Sequence, residues 1–341
     1  MFGKFIQSSK TGRRTVASGK RITAGTIEQY TCVYKLLKEY EAMEPNPLRI
    51  LLTHRSTLRG LQSEKAYWSR FFRKFTAFLY KKNFYDQYVA SVYKVIKAFF
   101  NYLNNDKCLP IGQFHKQFKL PSHTLSPIVL TPVQLRFLIT DTGFHQSLPA
   151  HLQRSKDIFV FGSTVGLRYA DLMGLKKQDI INTAGESIIK LHTQKTGTEV
   201  RIPLPGYAMD IINKYTTKTG KYVMPRLADS NLNLHIKAIA ERAGWTYLLP
   251  KIRHRQGVAV EVKTRQNKCY RFCDHLSTHT MRRTAITTLL IMGVPETMVR
   301  RISGHADGSK EFYKYVAIVQ DYMNEKVRDA YSKLIEPDTR L

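Results

Sequence analysis

The N-terminal part of the chain carries three apolar stripes at helical spacing. Ile27, Tyr30, Val33, Tyr34 and Leu37 form the first, behind Thr26-Ile27-Glu28-Gln29, which has the Thr-x-x-Gln form of a capping box. Trp68, Phe71, Phe72, Phe75 and Leu79 form the second, and Tyr85, Val89, Val92, Ile96, Phe99 and Leu103 the third. Pro45 and Pro47 mark a loop between the first two. Aromatics interleaved with basic residues suit base stacking, but their periodicity predicts instead the core of a small helical bundle.

The period is lost from 109 to 129, where Pro110, Pro121 and Pro127 fall, and this stretch reads as a linker. Leu130-Thr131-Pro132 opens a second domain, with Thr131 as helix cap and Pro132 at the first helical position. Downstream the pattern is mixed. Helical spacing covers 157–167, 169–175, 205–219, 231–243, 277–292, 295–302 and 309–320, with a last helix over 322–334. Two short strands, 187–192 and 199–204, flank the turn at Lys195-Thr196-Gly197, and Val258, Val260 and Val262 alternate as in a strand. The predicted fold class is mixed. It combines an all-α N-terminal domain with a C-terminal α/β domain that is mainly helical and has a small antiparallel sheet. The expected boundaries are a basic arm at 1–22, the helical domain at 23–108, the linker at 109–129, the α/β domain at 130–320 and a tail at 321–341.

Charge changes the picture. Lys and Arg number 54 against 26 Asp and Glu, a formal net charge of +28. Such a field concentrates polyanions, and nucleic acid is the first candidate. The rival, an anionic membrane surface, is disfavoured because the basic residues are spread along the whole chain and no lipidation signal is present. No apolar run is long enough to span a bilayer, and an intracellular, cytoplasmic location is expected. The arm carries Lys4, Lys10, Arg13, Arg14, Lys20 and Arg21 with no acid; a DNA-contacting role fits it better than a transit peptide. Lys65, Arg70, Arg73, Lys74, Lys81, Lys82, Lys94 and Lys97 lie on the polar faces of the second and third stripes and are candidate DNA-phosphate contacts. Cys269 and Cys273 have C-x3-C spacing, but with no second pair they read as reduced thiols, like Cys32 and Cys108.

Four segments carry the candidate chemistry: Gly166-Leu167-Arg168-Tyr169-Ala170-Asp171-Leu172; Thr193-Gln194-Lys195-Thr196-Gly197; His279-Thr280-Met281-Arg282-Arg283-Thr284; and Ser303-Gly304-His305 with Phe312-Tyr313-Lys314-Tyr315-Val316. In order and spacing they resemble the Arg, Lys, His-x-x-Arg, His, Tyr signature of the tyrosine recombinase (phage integrase) family, and in wording its integrases of mobile genetic elements. The likeness covers residues 130–320 well and the N-terminal helices loosely, as a core-binding domain. It implies DNA strand cleavage and rejoining through a 3′-phosphotyrosine. Guanidinium forks suit the non-bridging phosphate oxygens, a task for Arg168 and Arg282. By the same resemblance Lys195 protonates the leaving 5′ oxygen, His279 assists as acid or base, His305 hydrogen-bonds the scissile phosphate and Asp171 orients side chains around it. No carboxylate pair has metal-ligand spacing and no phosphate-cradling Gly-rich loop is present, so no cofactor, metal or ATP is expected.

The resemblance usually places the nucleophile nine residues after the second histidine, which here is Lys314. Tyr313 and Tyr315 flank it. On a helix Phe312, Tyr315 and Val316 share a face that Tyr313 does not, which favours Tyr315 and implies a one-residue insertion near Asp307-Gly308. Tyr313 is the alternative nucleophile. Duplex DNA is the expected partner, with a homotetramer on paired sites, accessory DNA-bending proteins and the tail docked on a neighbouring protomer. A topoisomerase or telomere resolvase of the same chemistry, or a DNA-binding protein without catalysis, are the other readings.

Overall fold

The computed structural model describes all residues except 17–18, 55, 121–126, 184, 306–307, 309 and 336–341. The chain folds as two compact units, residues 1–124 with 251–262, and residues 125–250 with 263–341.

The first unit is built on α1 (Phe2–Lys10), α2 (Ala24–Glu41), α3 (Leu58–Lys81) and α4 (Asp86–Asn101). The aromatic stripes meet in its core, where Trp68, Phe71, Phe75, Leu79, Val92, Ile96 and Phe99 are buried. Packing, not base stacking, is therefore what these aromatics do. Phe71 and Phe75 stack at 5.2 Å, and Trp68 meets Phe100 edge-on at 4.9 Å.

In this unit three boundaries differ from the sequence expectation. Residues 1–22 are not a free arm: Phe2, Phe5 and Ile6 place α1 in the core, and Arg14 lies over the Phe5 ring at 4.7 Å. The apolar positions of one short helix are too few to show a period against that many cations. The stretch 109–129 is not a linker throughout, because Ile111 and Phe118 are buried in the same core around a 3-10 turn at Phe114–Gln117. The cap of α2 is Thr23, whose hydroxyl accepts from the Thr26 N–H at 3.4 Å, so the helix begins before the expected capping box.

The first unit also recruits a hairpin from far along the chain, Lys251–Arg255 paired antiparallel with Val258–Val262. Its turn is held by Asp86, the first residue of α4 and 2% exposed. The Asp86 carboxylate accepts from the backbone N–H groups of Gln256 (2.8 Å) and Gly257 (2.9 Å) and from the Tyr80 hydroxyl (2.8 Å). Arg255 donates to the Tyr80 carbonyl at 2.7 Å.

The first helix of the second unit begins at Thr131, where the expected cap is a full capping box with Gln134. Helices α5 (Pro132–Thr140), α6 (Thr142–Ser147) and α7 (Ala150–Val165) lead to α8 (Tyr169–Gly174). A sheet of order β1 (Ile180–Thr183), β2 (Glu186–His192), β3 (Glu199–Pro203) follows, antiparallel throughout. Strand β1 was not expected; two isoleucines in four residues show no period. Register pairs Ile189 with Ile202 and Leu191 with Val200, turning Ile189, Val200 and Ile202 into the core. Helices α9 (Gly206–Tyr215), α10 (Asp229–Arg242), α11 (Phe272–His275), α12 (Thr278–Ile291) and α13 (Glu296–Ser303) precede α14 (Lys310–Ile335). The expected boundary at 320 falls inside α14, which runs on without a break. Among the described residues no helix is long and apolar enough to cross a membrane.

Asp86→Ala leaves two hairpin N–H groups and the Tyr80 hydroxyl without their acceptor. A loss of about 2–3 kcal/mol is expected, read as a lowered urea midpoint; an unchanged midpoint would show that the carboxylate does not hold the hairpin.

Candidate active site

The centre of the second unit is the close approach of α7 and α12. Gly162 allows it: a Cβ there would lie 2.4 Å from the Met281 sulfur. Helix α7 ends at Gly166, in the left-handed conformation at φ 66°, and α13 ends at Gly304, at φ 62°. These two helix ends aim carbonyls at one side chain. Arg282, on α12 and 3% exposed, donates from Nη1 to the Gly166 carbonyl at 3.0 Å and from Nη2 to the Ser303 carbonyl at 2.6 Å. Each helix C-terminus carries about half a negative charge, so two together offset much of the cost of burying a guanidinium. Burial, followed by the repulsion of Arg168, still lowers the Arg282 pKa to about 10.

The four sequence segments converge through such contacts. Arg168 caps the N-terminus of α8, and its Nη1 is buried with no hydrogen-bond partner. Asp171, 4% exposed, accepts from the Gln194 N–H at 2.8 Å and thereby holds the turn that carries Lys195. Within that turn the Thr193 and Thr196 hydroxyls are 2.7 Å apart and Gly197 N–H donates to the Thr193 carbonyl at 2.7 Å. Lys195 itself is exposed. A Cβ at Gly304 would meet Val200 at 3.3 Å and Thr193 at 3.7 Å, so the His305 loop lies against the same turn.

His305 contacts the Ser303 hydroxyl through Nδ1 at 2.8 Å, and Arg282 Nη2 lies 3.3 Å from both its ring nitrogens. Burial first, then Arg282, Arg168 and Arg300, pushes its pKa down to about 4. His279, in the first turn of α12, keeps an exposed face, but burial of the remainder and then Arg283, Arg282, Arg168 and Lys195 lower its pKa as well. Both imidazoles are therefore neutral at neutral pH in a strongly cationic setting.

Tyr315 is the tyrosine brought to this cluster. It is 7% exposed, packs with Ile286, Val299 and Phe312, and its ring lies 6.0 Å from that of His305. Tyr313 is 53% exposed and faces Arg300, whose guanidinium lies 5.0 Å from its ring and 4.4 Å from that of Phe312. Arg300, paired with Glu296 one turn back at 2.9 Å, is a neighbour of the site that its sequence context did not single out; the Glu-x-x-x-Arg spacing was its only signal. Asp307, next to the expected insertion, lies outside the described residues. No cluster of metal-binding side chains occurs among the described residues, and Cys269 and Cys273 form no disulfide.

The candidate DNA face of the first unit is mixed. Lys65, Arg70, Arg73, Lys81 and Lys94 are exposed and Lys97 is half-buried. Lys74 and Lys82 are exposed too but pair with Glu44 (3.0 Å) and Glu39 (2.6 Å), which screens part of their charge.

A mainly helical unit with a small antiparallel sheet, gathering two arginines, two histidines and a tyrosine at one point, has the catalytic fold of the tyrosine recombinases. The chain belongs to the phage integrase family, which its sequence matches over residues 149–320. Similar solved structures include the XerH site-specific recombinase bound to palindromic difH substrate in a post-cleavage complex. That likeness has TM-score 0.62 and 12% identity, over 96% of this chain and 84% of that one. The Tn1549 transposon integrase in complex with transposon right end DNA gives TM-score 0.58 and 13% identity, over 96% and 98%. A lambda integrase dimer bound to a COC′ core site gives 0.54 and 12%, over 92% and 94%. At these identities the likeness concerns the fold. No curated protein matches the sequence at a significant level.

The depressed His305 pKa has a stability consequence. An unfolded histidine, at its ordinary 6.5, binds a proton that the folded site, near 4, refuses. Stability from this group is thus fully present above about pH 6.5 and lost as pH falls towards 4. Urea midpoints from pH 7 to 4 should fall less steeply for His305→Gln than for wild type; parallel curves would count against a buried neutral imidazole.

Proposed function

We propose that this chain is a site-specific DNA recombinase that cuts and rejoins strands through a covalent 3′-phosphotyrosine and moves a mobile genetic element. The observation that best supports this reading is the buried, unpartnered Nη1 of Arg168 beside the buried guanidinium of Arg282. Two like-charged guanidiniums this close, one lowering the proton affinity of buried Arg282, favour an anion between them, and a planar donor fork suits phosphate oxygens. The DNA complexes of XerH, the Tn1549 integrase and lambda integrase support duplex DNA as that anion's source.

In this mechanism the Tyr315 hydroxyl attacks phosphorus. The Oη–P bond forms as the P–O5′ bond breaks, the tyrosine proton leaves with the help of His279, and Lys195 gives a proton to the departing 5′ oxygen. Arg168, Arg282 and His305 stabilise the charge on the non-bridging oxygens. Asp171 acts at one remove, by holding the Lys195 turn. A 5′ hydroxyl from a partner strand then attacks the phosphotyrosine, the P–O5′ bond reforms and Tyr315 is released. One phosphoester replaces another in each step, so no ATP is consumed. The cations come from side chains, and no metal enters the scheme. Four protomers act on two sites, with the tail beyond residue 320 docked on a neighbour and accessory proteins bending the DNA. Basic residues of the first unit contact phosphates.

A nicked suicide duplex carrying the recombination site tests this. With chelator present, wild type and Tyr313→Phe should accumulate a covalent protein–DNA adduct, and Tyr315→Phe should not. Arg168→Ala should slow adduct formation by about 10²–10³-fold, the usual effect of removing one donor to a developing oxyanion. Loss in Tyr313→Phe alone would move the nucleophile, and no adduct from wild type that binds the duplex would make the chain a DNA-binding protein without catalysis.

A further inference from the structure

Ser303 is the last residue of α13 and 3% exposed. Its hydroxyl has two close partners, the Val299 carbonyl at 2.6 Å and His305 Nδ1 at 2.8 Å, with the Arg300 carbonyl further off at 3.3 Å. A hydroxyl has one proton to give. The carbonyl can only accept, so it takes that proton, and the Ser303 lone pair is left facing Nδ1. Two lone pairs at that separation repel, and the contact becomes a hydrogen bond only if Nδ1 carries the imidazole proton.

Arg282 does not compete for this arrangement. Its Nη2 is equidistant, at 3.3 Å, from Nδ1 and Nε2. The in-plane lone pairs of the two ring nitrogens diverge, so a donor shared equally between them favours neither tautomer. The guanidinium rests against the ring and is bonded to the Ser303 carbonyl at 2.6 Å. Nε2 is thereby left unprotonated.

We infer that Ser303 is a positioning residue that fixes His305 as the Nδ1–H tautomer, with Nε2 presented to the site as a proton acceptor. The same residue acts through two atoms, its carbonyl holding Arg282 and its hydroxyl holding His305, so the two groups share one anchor. This rests on the recombinase reading for its catalytic meaning: His305 then donates to a phosphate oxygen through Nε2 only after taking up a proton. The low proton affinity of the ring in the DNA-free protein agrees with a neutral imidazole whose tautomer matters.

The test is the nitrogen spectrum of the full chain, labelled with ¹⁵N-histidine and free of DNA at neutral pH, with His305 assigned by difference from His305→Gln. Wild type should show Nδ1 protonated and Nε2 with the shift of a bare ring nitrogen, in an excess on the order of tenfold, about what one hydrogen bond supports. Ser303→Ala should lose that excess, and Ser303→Thr, which keeps the hydroxyl, should retain it. Adduct formation on the suicide duplex should follow the same order, lowered in Ser303→Ala and rescued in Ser303→Thr. An Nε2–H pattern in wild type, or an unchanged pattern in Ser303→Ala, would overturn the assignment. The spectrum needs no strand cleavage: the expected pattern without any adduct would sink the recombinase reading and leave the tautomer standing.

Discussion

Arg282 is a full positive charge in the interior of the second unit, and among the described residues no carboxylate hydrogen-bonds to it. Two helix ends hold it instead, the Gly166 carbonyl closing α7 and the Ser303 carbonyl closing α13. Losing either carbonyl would leave a buried guanidinium donor unsatisfied, which costs several kcal/mol. The arrangement of α7, α12 and α13 is therefore tied to this one side chain. Both helices end in left-handed glycines because each chain must turn sharply enough to leave its last carbonyl free to face Arg282.

The rest of the site follows from that constraint. Arg168 comes two residues after Gly166 and His305 two residues after Ser303, so the anchors that satisfy Arg282 also deliver its neighbours. Asp171 then brings in the β2–β3 turn through the Gln194 N–H, and Lys195 with it. Tyr315 arrives separately, on α14, by packing its ring with Phe312, Ile286 and Val299. The result is a concentration of cations in which burial first, and then mutual repulsion, depresses the proton affinity of Arg282, His279 and His305. An anion placed among these side chains would relieve that repulsion.

The first unit obeys a different logic. Its stability comes from an aromatic core in which edge-on and tilted contacts extend from Phe2 through Phe99 and Phe100 to Trp68 and Phe118. The hairpin 251–262 adds to it through polar groups, above all the Asp86 carboxylate, because the exposed Val258 and Val260 contribute little apolar burial. A unit assembled from the N-terminal part of the sequence and an internal hairpin far along it is not legible as one continuous segment.

The sequence alone determined the two-domain plan, the aromatic core, the Thr131 cap and the four segments that meet at the site. Each of these is a local pattern: a helical period, a capping pair, or residue types whose chemistry belongs together. It also favoured Tyr315 over Tyr313, since the face shared with Phe312 and Val316 follows from helical geometry. Tertiary structure alone decided that α1, Ile111 and Phe118 complete the first core, that 251–262 leaves the second unit, and that two helix ends hold Arg282. Those outcomes depend on contacts between residues distant in sequence, and neither one short apolar turn nor a free backbone carbonyl leaves a periodic trace. Ser303 shows the limit most plainly: a serine two residues before a histidine is unremarkable until the helix end places its hydroxyl between a carbonyl and the ring.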